Sequence, residues 1–504
     1  MQVKTQKDEL ENYLIDASNL AGGFSEKLFI PETREEIAEI LKEANERKIP
    51  VTASGARTGT VGGAIPFGGY LISLEKFNRI KEINERFAVV ESGVILADLQ
   101  KAVEAKNLFY PPDPTEWSCQ IGGTIATNAS GARSFKYGAT RNYVQRLEII
   151  LSSGDVLNLR RGEVFSQNGF IELTTENGKR IKAKVPTYDV PNVRKNTSGY
   201  FSSEKIDAID LFVGSEGTLG VITEIELSLL KKPQGFLSGI VFFKAEKDLL
   251  NFADEARRIS FATRQIRNPQ SQIQNQINAT LLEYFDENSL DFIKEKFPEV
   301  PENVQGAIFF EQETDAETED ELFGQWNNLF EKHNAETDDS WFTTSAEDLK
   351  KMREFRHALP VAVNERVVKN RRRKISTDMA VPDESFASFL KFYKQKLDES
   401  KLDYVIFGHI GDNHLHANIL PKNDAEARKA KHLYGRFVAQ SVMLGGTISA
   451  EHGIGKLKSK YLQAMYGERF LNEMAELKKA FDPNGILGRG NMFDTKFLLR
   501  TEEF

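Results

Sequence analysis

Apolar and polar positions along the chain follow two periods in turn. Residues 8–21 read as a short leading helix. In the stretch that follows, Thr33 with Glu36 three residues on makes a reciprocal N-cap signal, and Ile37, Ile40 and Leu41 fall on one helical face. Pro50 stops that helix, and Val51–Ala53 reads as a strand running into glycines. The segment from Phe87 to Leu108 predicts a strand and then a helix, and residues 147–159 predict a further strand. Residues 160–190 are polar and Lys-rich and predict a hairpin insertion. From 236 to about 400, strands such as Phe236–Phe243 and Gly306–Glu311 alternate with helices such as 245–259. That alternation predicts an antiparallel sheet with helices on one face. The acidic run 312–322 reads as a solvated helix face.

Three glycine-rich stretches interrupt this pattern: Val51–Pro66, Pro112–Gly138 and Asp210–Leu229. Each reads as a short strand joined to a turn of small residues, where main-chain N–H groups can approach another molecule closely. Taken singly, each is a surface loop. Their ordered recurrence is a stronger signal, because phosphates and planar heterocycles need such access. None has the G-x-G-x-x-G form of a nucleotide-binding Rossmann turn, so a nicotinamide enzyme is a poor reading.

Composition narrows the classes. The 504 residues carry a net charge of −8, which argues against nonspecific nucleic-acid binding. A single cysteine, Cys119, excludes an internal disulfide framework and a cysteine-ligated iron–sulfur cluster. The first residues have no apolar core of a signal peptide, and no apolar run approaches the ~20 residues of a membrane span. The expected location is the cytoplasm, with peripheral attachment to the inner membrane as the alternative.

The three stretches together resemble the FAD-binding domain of the vanillyl-alcohol oxidase (PCMH-type) flavoprotein family. The resemblance implies an α+β chain: a PCMH-type FAD-binding domain of two α/β subdomains, followed by an α+β cap with an antiparallel sheet. The expected boundaries are 1–27 for the N-terminal segment, 28–233 for the FAD-binding domain, 234–480 for the cap and 481–504 for a return to the flavin. It implies that Ser54, Gly55, Ala56, Arg57, Thr58 and Gly59 wrap the pyrophosphate, Arg57 standing where the family more often has glycine. The central stretch would contact the flavin ring through Pro112, Asp113, Pro114, Thr115, Gly122, Gly123, Thr124, Ala126, Thr127, Asn128, Ser130, Gly131 and Tyr137. Glu216, Gly217, Gly220 and Ile222 would close the site, and Arg194–Tyr200 resembles a segment near the flavin. The family's Asn-Pro-Gly-Lys run is replaced by Gly488, Arg489, Gly490 and Asn491. The FAD would be non-covalent, since the first histidine is His333.

Seven histidines are present, and four fall in two short stretches beside glycine turns, Gly408–Pro421 and Gly445–Gly455. On a strand–turn–strand pivoting at Gly411-Asp412, His409 and His416 can converge; Glu451 and His452 are adjacent, on an expected short strand. Two imidazoles and a carboxylate suit a divalent metal with open positions. These stretches resemble the cap of the FAD-linked D-2-hydroxyacid dehydrogenases, with their His-x-Gly-Asp-Gly-Asn-x-His and Glu-His-Gly motifs. That resemblance implies a zinc or manganese ion on His409, His416 and Glu451, and His452 as general base. Asn413 and His414 depart from the motif, and His414 is either a polar group near the substrate or a competing ligand. Arg356 matches the family arginine that clamps a substrate carboxylate, with Arg353 its competitor one turn earlier. In Arg371–Lys374, a solvated basic edge competes with a second carboxylate contact through Lys374.

The activity implied is oxidation of a D-2-hydroxy acid, D-lactate first, with D-2-hydroxyglutarate or glycolate as alternatives. Electrons would pass to a quinone, a cytochrome or an electron-transfer flavoprotein. A peroxide-forming oxidase and a flavin-dependent synthase are the rival classes, and a homodimer is the assembly considered.

Overall fold

The computed structural model describes residues 1–265 and 276–499. Its first sheet has the order Gln2–Lys4, Lys27–Ile30, Tyr70–Ser73, Val51–Ser54, and the last three strands are parallel. The helix Arg34–Glu46 makes the crossover, with Thr33 accepting from the Glu36 N–H as its cap. It buries Ile37, Ile40, Leu41 and Ala44 against Val51, Tyr70 and Ile72. The chain returns to this sheet near its end: Val51 N–H donates to Ile486 O, and Gly488 N–H donates to Val51 O. A second, antiparallel sheet has the order Ile80–Ile83, Phe87–Glu91, Val221–Ser228, Val144–Ile150, Val156–Arg160.

The third sheet is antiparallel with seven strands: Trp341–Thr343, Gly235–Phe243, Gly306–Thr314, Leu281–Asp286, Tyr404–His409, His414–Ile419 and Ile375–Ser376. Alternation along its strands separates two faces. Leu282, Tyr284, Ile308, Phe310 and Ile406 share one core with the helices Glu246–Gln265, Glu319–Lys332, Asp383–Ser400 and Asp424–Met443. Leu281, Phe285, Phe309 and Val405 face the other way, into a core shared with Glu287–Ile293 and Ala346–Asn370. Helices therefore lie on both faces, where one was expected. By register, Glu283, Glu311, His409, His414 and His416 belong to this second face. There the apolar cover ends and charged side chains meet the N-terminal half, Glu311 facing Arg133 and Glu313 facing Lys136.

Other expectations change in detail. The leading helix is only Lys7–Leu10 with a 3₁₀ turn Glu11–Tyr13. The strand over 147–159 is a hairpin, broken where Gly154 takes φ +82°. The Lys-rich insertion is a hairpin, Phe170–Thr174 with Arg180–Lys184. Two glycine-rich stretches are entered or crossed by helices: Ala208–Phe212, capped by the Asp207 carboxylate accepting from the Ile209 N–H, and Ile121–Thr127, ended by Asn128 in the left-handed region. The acidic run 312–322 ends one strand and starts a helix, with Gln312 and Leu322 buried. Glu451 and His452 lie in an irregular segment, where Thr447 bridges Ala380, the Ala450 N–H donates to Asp378 O and the Glu451 and His452 N–H groups donate to the Asp378 carboxylate.

Candidate active site

A cavity of about 370 Å³ lies where the three glycine-rich stretches meet the cap. Its wall contains Ser54, Gly55, Ala56, Arg57, Thr58 and Gly59 from the first stretch, and Pro114, Thr115, Gly122, Gly123, Thr124, Ala126, Thr127 and Ser130 from the second. Glu216, Gly217, Gly220 and Ile222 close it, and His416, Glu451 and His452 enter from the cap. Gln120, Ala64 and Ser92 also line it and carried no sequence signal of their own.

Five expected cofactor residues stand outside the lining. Pro112 O accepts from Gln100. Asp113 accepts from the Trp117 indole and stands 3.8 Å from Arg133. Asn128 caps its helix at φ +48° and accepts from the Arg141 N–H. Gly131 lies so close to Asp113 that a Cβ would stand 1.8 Å from its carbonyl oxygen. The Tyr137 hydroxyl is turned to Glu313. In each case a neighbouring polar group or backbone holds the residue away from the cavity.

The first loop fits a diphosphate. Among the described residues, the N–H groups of Gly55, Ala56, Thr58 and Gly59 donate to no protein group. Such a row of free amides is an anion nest. Arg57 takes φ +61°, which explains why glycine is commoner there, and its guanidinium lies 4.7 Å from the Tyr13 ring centroid. Among the described residues, Gln120 Oε1 is buried without a partner in the same wall. Cys119 also lines the cavity, but burial pushes its thiol up to about 12, so it stays protonated. Glu216 has its carboxylate taken by the Ile454 and Gly455 N–H groups at 2.6 and 2.7 Å, and burial raises its pKa. Asn491 donates to Gly63 O and Glu216 O, and Lys456 Nζ donates to Asn491 Oδ1 at 2.7 Å.

The cap contributes the charged centre. The hairpin Tyr404–His409 and His414–Ile419 turns through Ile410–Asp412, with Asn413 at φ +53°, a conformation asparagine tolerates nearly as well as the motif's glycine. His409, His414, His416 and Glu451 each offer a ligand atom, all within 4.8 Å of one another. Buried groups that the motif reading missed surround them. Glu283 joins His409 Nδ1 at 2.5 Å to Arg356 Nε at 3.0 Å. Lys195 Nζ reaches Glu451 Oε1 at 2.6 Å and Asp412 at 3.2 Å. Asp378 accepts from Lys458 at 2.5 Å and lies 3.0 Å from His414 Nε2 and 3.3 Å from His452 Nδ1.

Electrostatics follow the contacts. Burial would raise the Glu283 pKa, but His409 and Arg356 outweigh it and hold it at about 2. Burial opposes charge on His409, yet Glu283 and Glu451 bring it up to about 9. A ligand nitrogen must be unprotonated, so occupancy by an ion requires that proton to leave. His414 is pushed down to about 3 by burial and by His416. Arg353 pairs with Glu311 at 2.8 Å and is the more exposed of the two candidate arginines. Neither arginine lines the cavity, nor does Lys374, which sits beside the edge strand Ile375–Ser376 with its pKa lowered by burial.

These features define an FAD-binding oxidoreductase with a histidine-rich cap. Residues 26–160 match a family model described as an FAD binding domain, and 266–492 match the C-terminal domain of FAD linked oxidases. A D-lactate dehydrogenase of Anaerostipes hadrus is 31% identical, over 96% of this chain and 93% of its own length. The glycolate oxidase subunit GlcD of Bacillus subtilis is 29% identical, over 95% and 92%. A solved alkyldihydroxyacetonephosphate synthase shares the fold at 16% identity, with a TM-score of 0.67 over 97% of this chain and 82% of its own. The chain belongs to the FAD-linked D-2-hydroxyacid dehydrogenase family and is an FAD-dependent oxidoreductase of hydroxy acids. Among the described residues, no helix is long and apolar enough to cross a membrane.

Proposed function

We propose that the chain oxidises D-lactate to its 2-oxo acid, with FAD held non-covalently and a divalent ion, zinc or manganese, on His409, His416 and Glu451. The observation that carries this reading is that His416, Glu451 and His452 line the same cavity as the glycine-rich loops. The D-lactate choice draws on the Anaerostipes hadrus relative.

The FAD held by these loops would supply an acceptor for the C2 hydrogen and its electron pair. When bound, a divalent ion lowers the pKa of an adjacent hydroxyl. The remaining work belongs to side chains. Arg356 stands behind the cavity wall with its Nε engaged by Glu283, which leaves its terminal nitrogens as the donors for a substrate carboxylate. His452 receives the hydroxyl proton at Nε2, because Asp378 faces its Nδ1 and favours the proton there. The C2–H and O–H bonds break, the C=O bond forms, and electrons leave to a quinone, a cytochrome or an electron-transfer flavoprotein.

The test is anaerobic mixing of the FAD-loaded protein with D- and L-hydroxy acids while flavin absorbance is followed. D-Lactate should bleach the flavin and L-lactate should not. His452→Ala should slow bleaching by ~10²–10⁴ while retaining FAD. Bleaching by D-2-hydroxyglutarate or glycolate alone would reassign the substrate.

A further inference from the structure

One of the three histidines of the cluster has no place in the set just described. His414 is completely buried, and it does not line the cavity. Among the described residues neither of its ring nitrogens has a hydrogen-bond partner, and Nδ1 is the one on the Glu451 side. That atom stands 3.9 Å from Glu451 Oε2, and His416 Nε2 stands 3.7 Å from the same oxygen. His409 Nε2 is 3.3 Å from Glu451 Oε1. Ligand atoms ~2.1 Å from one tetrahedral ion stand about 3.4 Å apart, so these spacings suit a shared centre.

The outward nitrogens make the same point. His409 Nδ1 faces Glu283, His416 Nδ1 donates to Thr377 O at 2.9 Å, and His414 Nε2 faces Asp378. Hydrogen bonds behind His409 and His416 place their N–H outward and aim a lone pair at the centre, the usual outer shell of metal-bound histidine, and the Asp378 carboxylate 3.0 Å from His414 Nε2 favours the same tautomer there. Asparagine, the motif residue here, has no equivalent second nitrogen to pin.

We propose that His414 Nδ1 is a fourth protein donor, so that three imidazoles and one carboxylate hold the ion. This rests on the metal reading above and sharpens it. Three nitrogen donors favour zinc or cobalt over manganese. Because only His416 and Glu451 of the four reach the cavity wall, a fifth, exchangeable position would open on their side as the ion expands from four to five donors.

The experiment uses the FAD-loaded full chain, stripped with a chelator and titrated with zinc or manganese against a chromophoric competitor. His414→Asn should weaken zinc binding by at least ~10-fold and reduce the zinc-over-manganese preference. Pulsed EPR of the copper(II)-loaded wild type should count three imidazole nitrogens, a readout that stands even if the variant fails to fold. Two imidazoles, or an unchanged zinc Kd in a folded variant, would overturn the role of His414 and leave the three-residue site standing. No ion bound by the wild type, with bleaching by hydroxy acids intact, would overturn both.

Discussion

At the residue scale, the site depends on buried charges that compensate one another. Lys195 is 2% exposed and touches two carboxylates, Glu451 and Asp412, while donating to Gly131 O at 2.8 Å. Burial opposes its charge, and Glu451 and Asp412 more than restore it. Removing one partner from such a cluster leaves uncompensated buried charge, at a cost of ~3–5 kcal/mol. Lys195→Met keeps an unbranched apolar stem and removes the ammonium, so the loss it causes is that of the charge and its hydrogen bonds. We predict a lower urea midpoint with a matching loss of stability; an unchanged midpoint would show that Glu451 and Asp412 do not need the cation. Arg356 is placed differently from Arg353. It shares Glu283 with His409, whereas Arg353 pairs outside that chain of contacts with Glu311.

At the scale of elements, caps and turns set where the functional strands begin and end. Asp286 closes the strand Leu281–Asp286 and caps Glu287–Ile293, accepting from the Ser289 and Ile406 N–H groups. Burial raises its pKa to about 6 despite those bonds. An unfolded aspartate titrates near ~3.9, so between those values only the folded state holds the proton. Its contribution to stability therefore grows as pH falls from 6 towards 4 and is least favourable above 6. Asp286→Asn keeps an acceptor for the cap and removes the titration. Relative to wild type, the variant should be about 1 kcal/mol better off at pH 8 than at pH 5. Denaturation curves at the two pH values with equal offsets would contradict this.

At the scale of the molecule, the two halves are joined through the site itself. Glu216, from the FAD-binding half, accepts from Ile454 and Gly455, one and two residues beyond the Glu-His-Gly run. Ser130 donates to Glu451 at 3.0 Å, so a cavity-wall residue of the same half also holds a cluster carboxylate. Glu216→Ala would leave two buried amides without acceptors, at ~1–3 kcal/mol each. Flavin release on heating, read from its fluorescence, should then occur well below the wild-type temperature. Identical release temperatures would place the coupling elsewhere.

The sequence alone determined the parts governed by local physics. Helical spacing with a cap located Arg34–Glu46, and glycine density located the cavity-lining loops, because both depend on neighbours a few residues away. The His409–His416 hairpin was legible for the same reason: Gly411-Asp412 marks the turn, and period 2 puts both rings on one face. The tertiary structure decided what depends on distant partners. Lys195, Glu283 and Asp378 lie in stretches with no metal-ligand spacing, and become neighbours of the cluster only when sheet and loops pack. Tyr137 and Asp113 belong to the right stretch, yet packing turns them to Glu313 and Trp117. Spacing along a chain limits which side chains can share a face. Which buried charge meets which is settled by packing, where an unpaired ion costs several kcal/mol and every partner must be found.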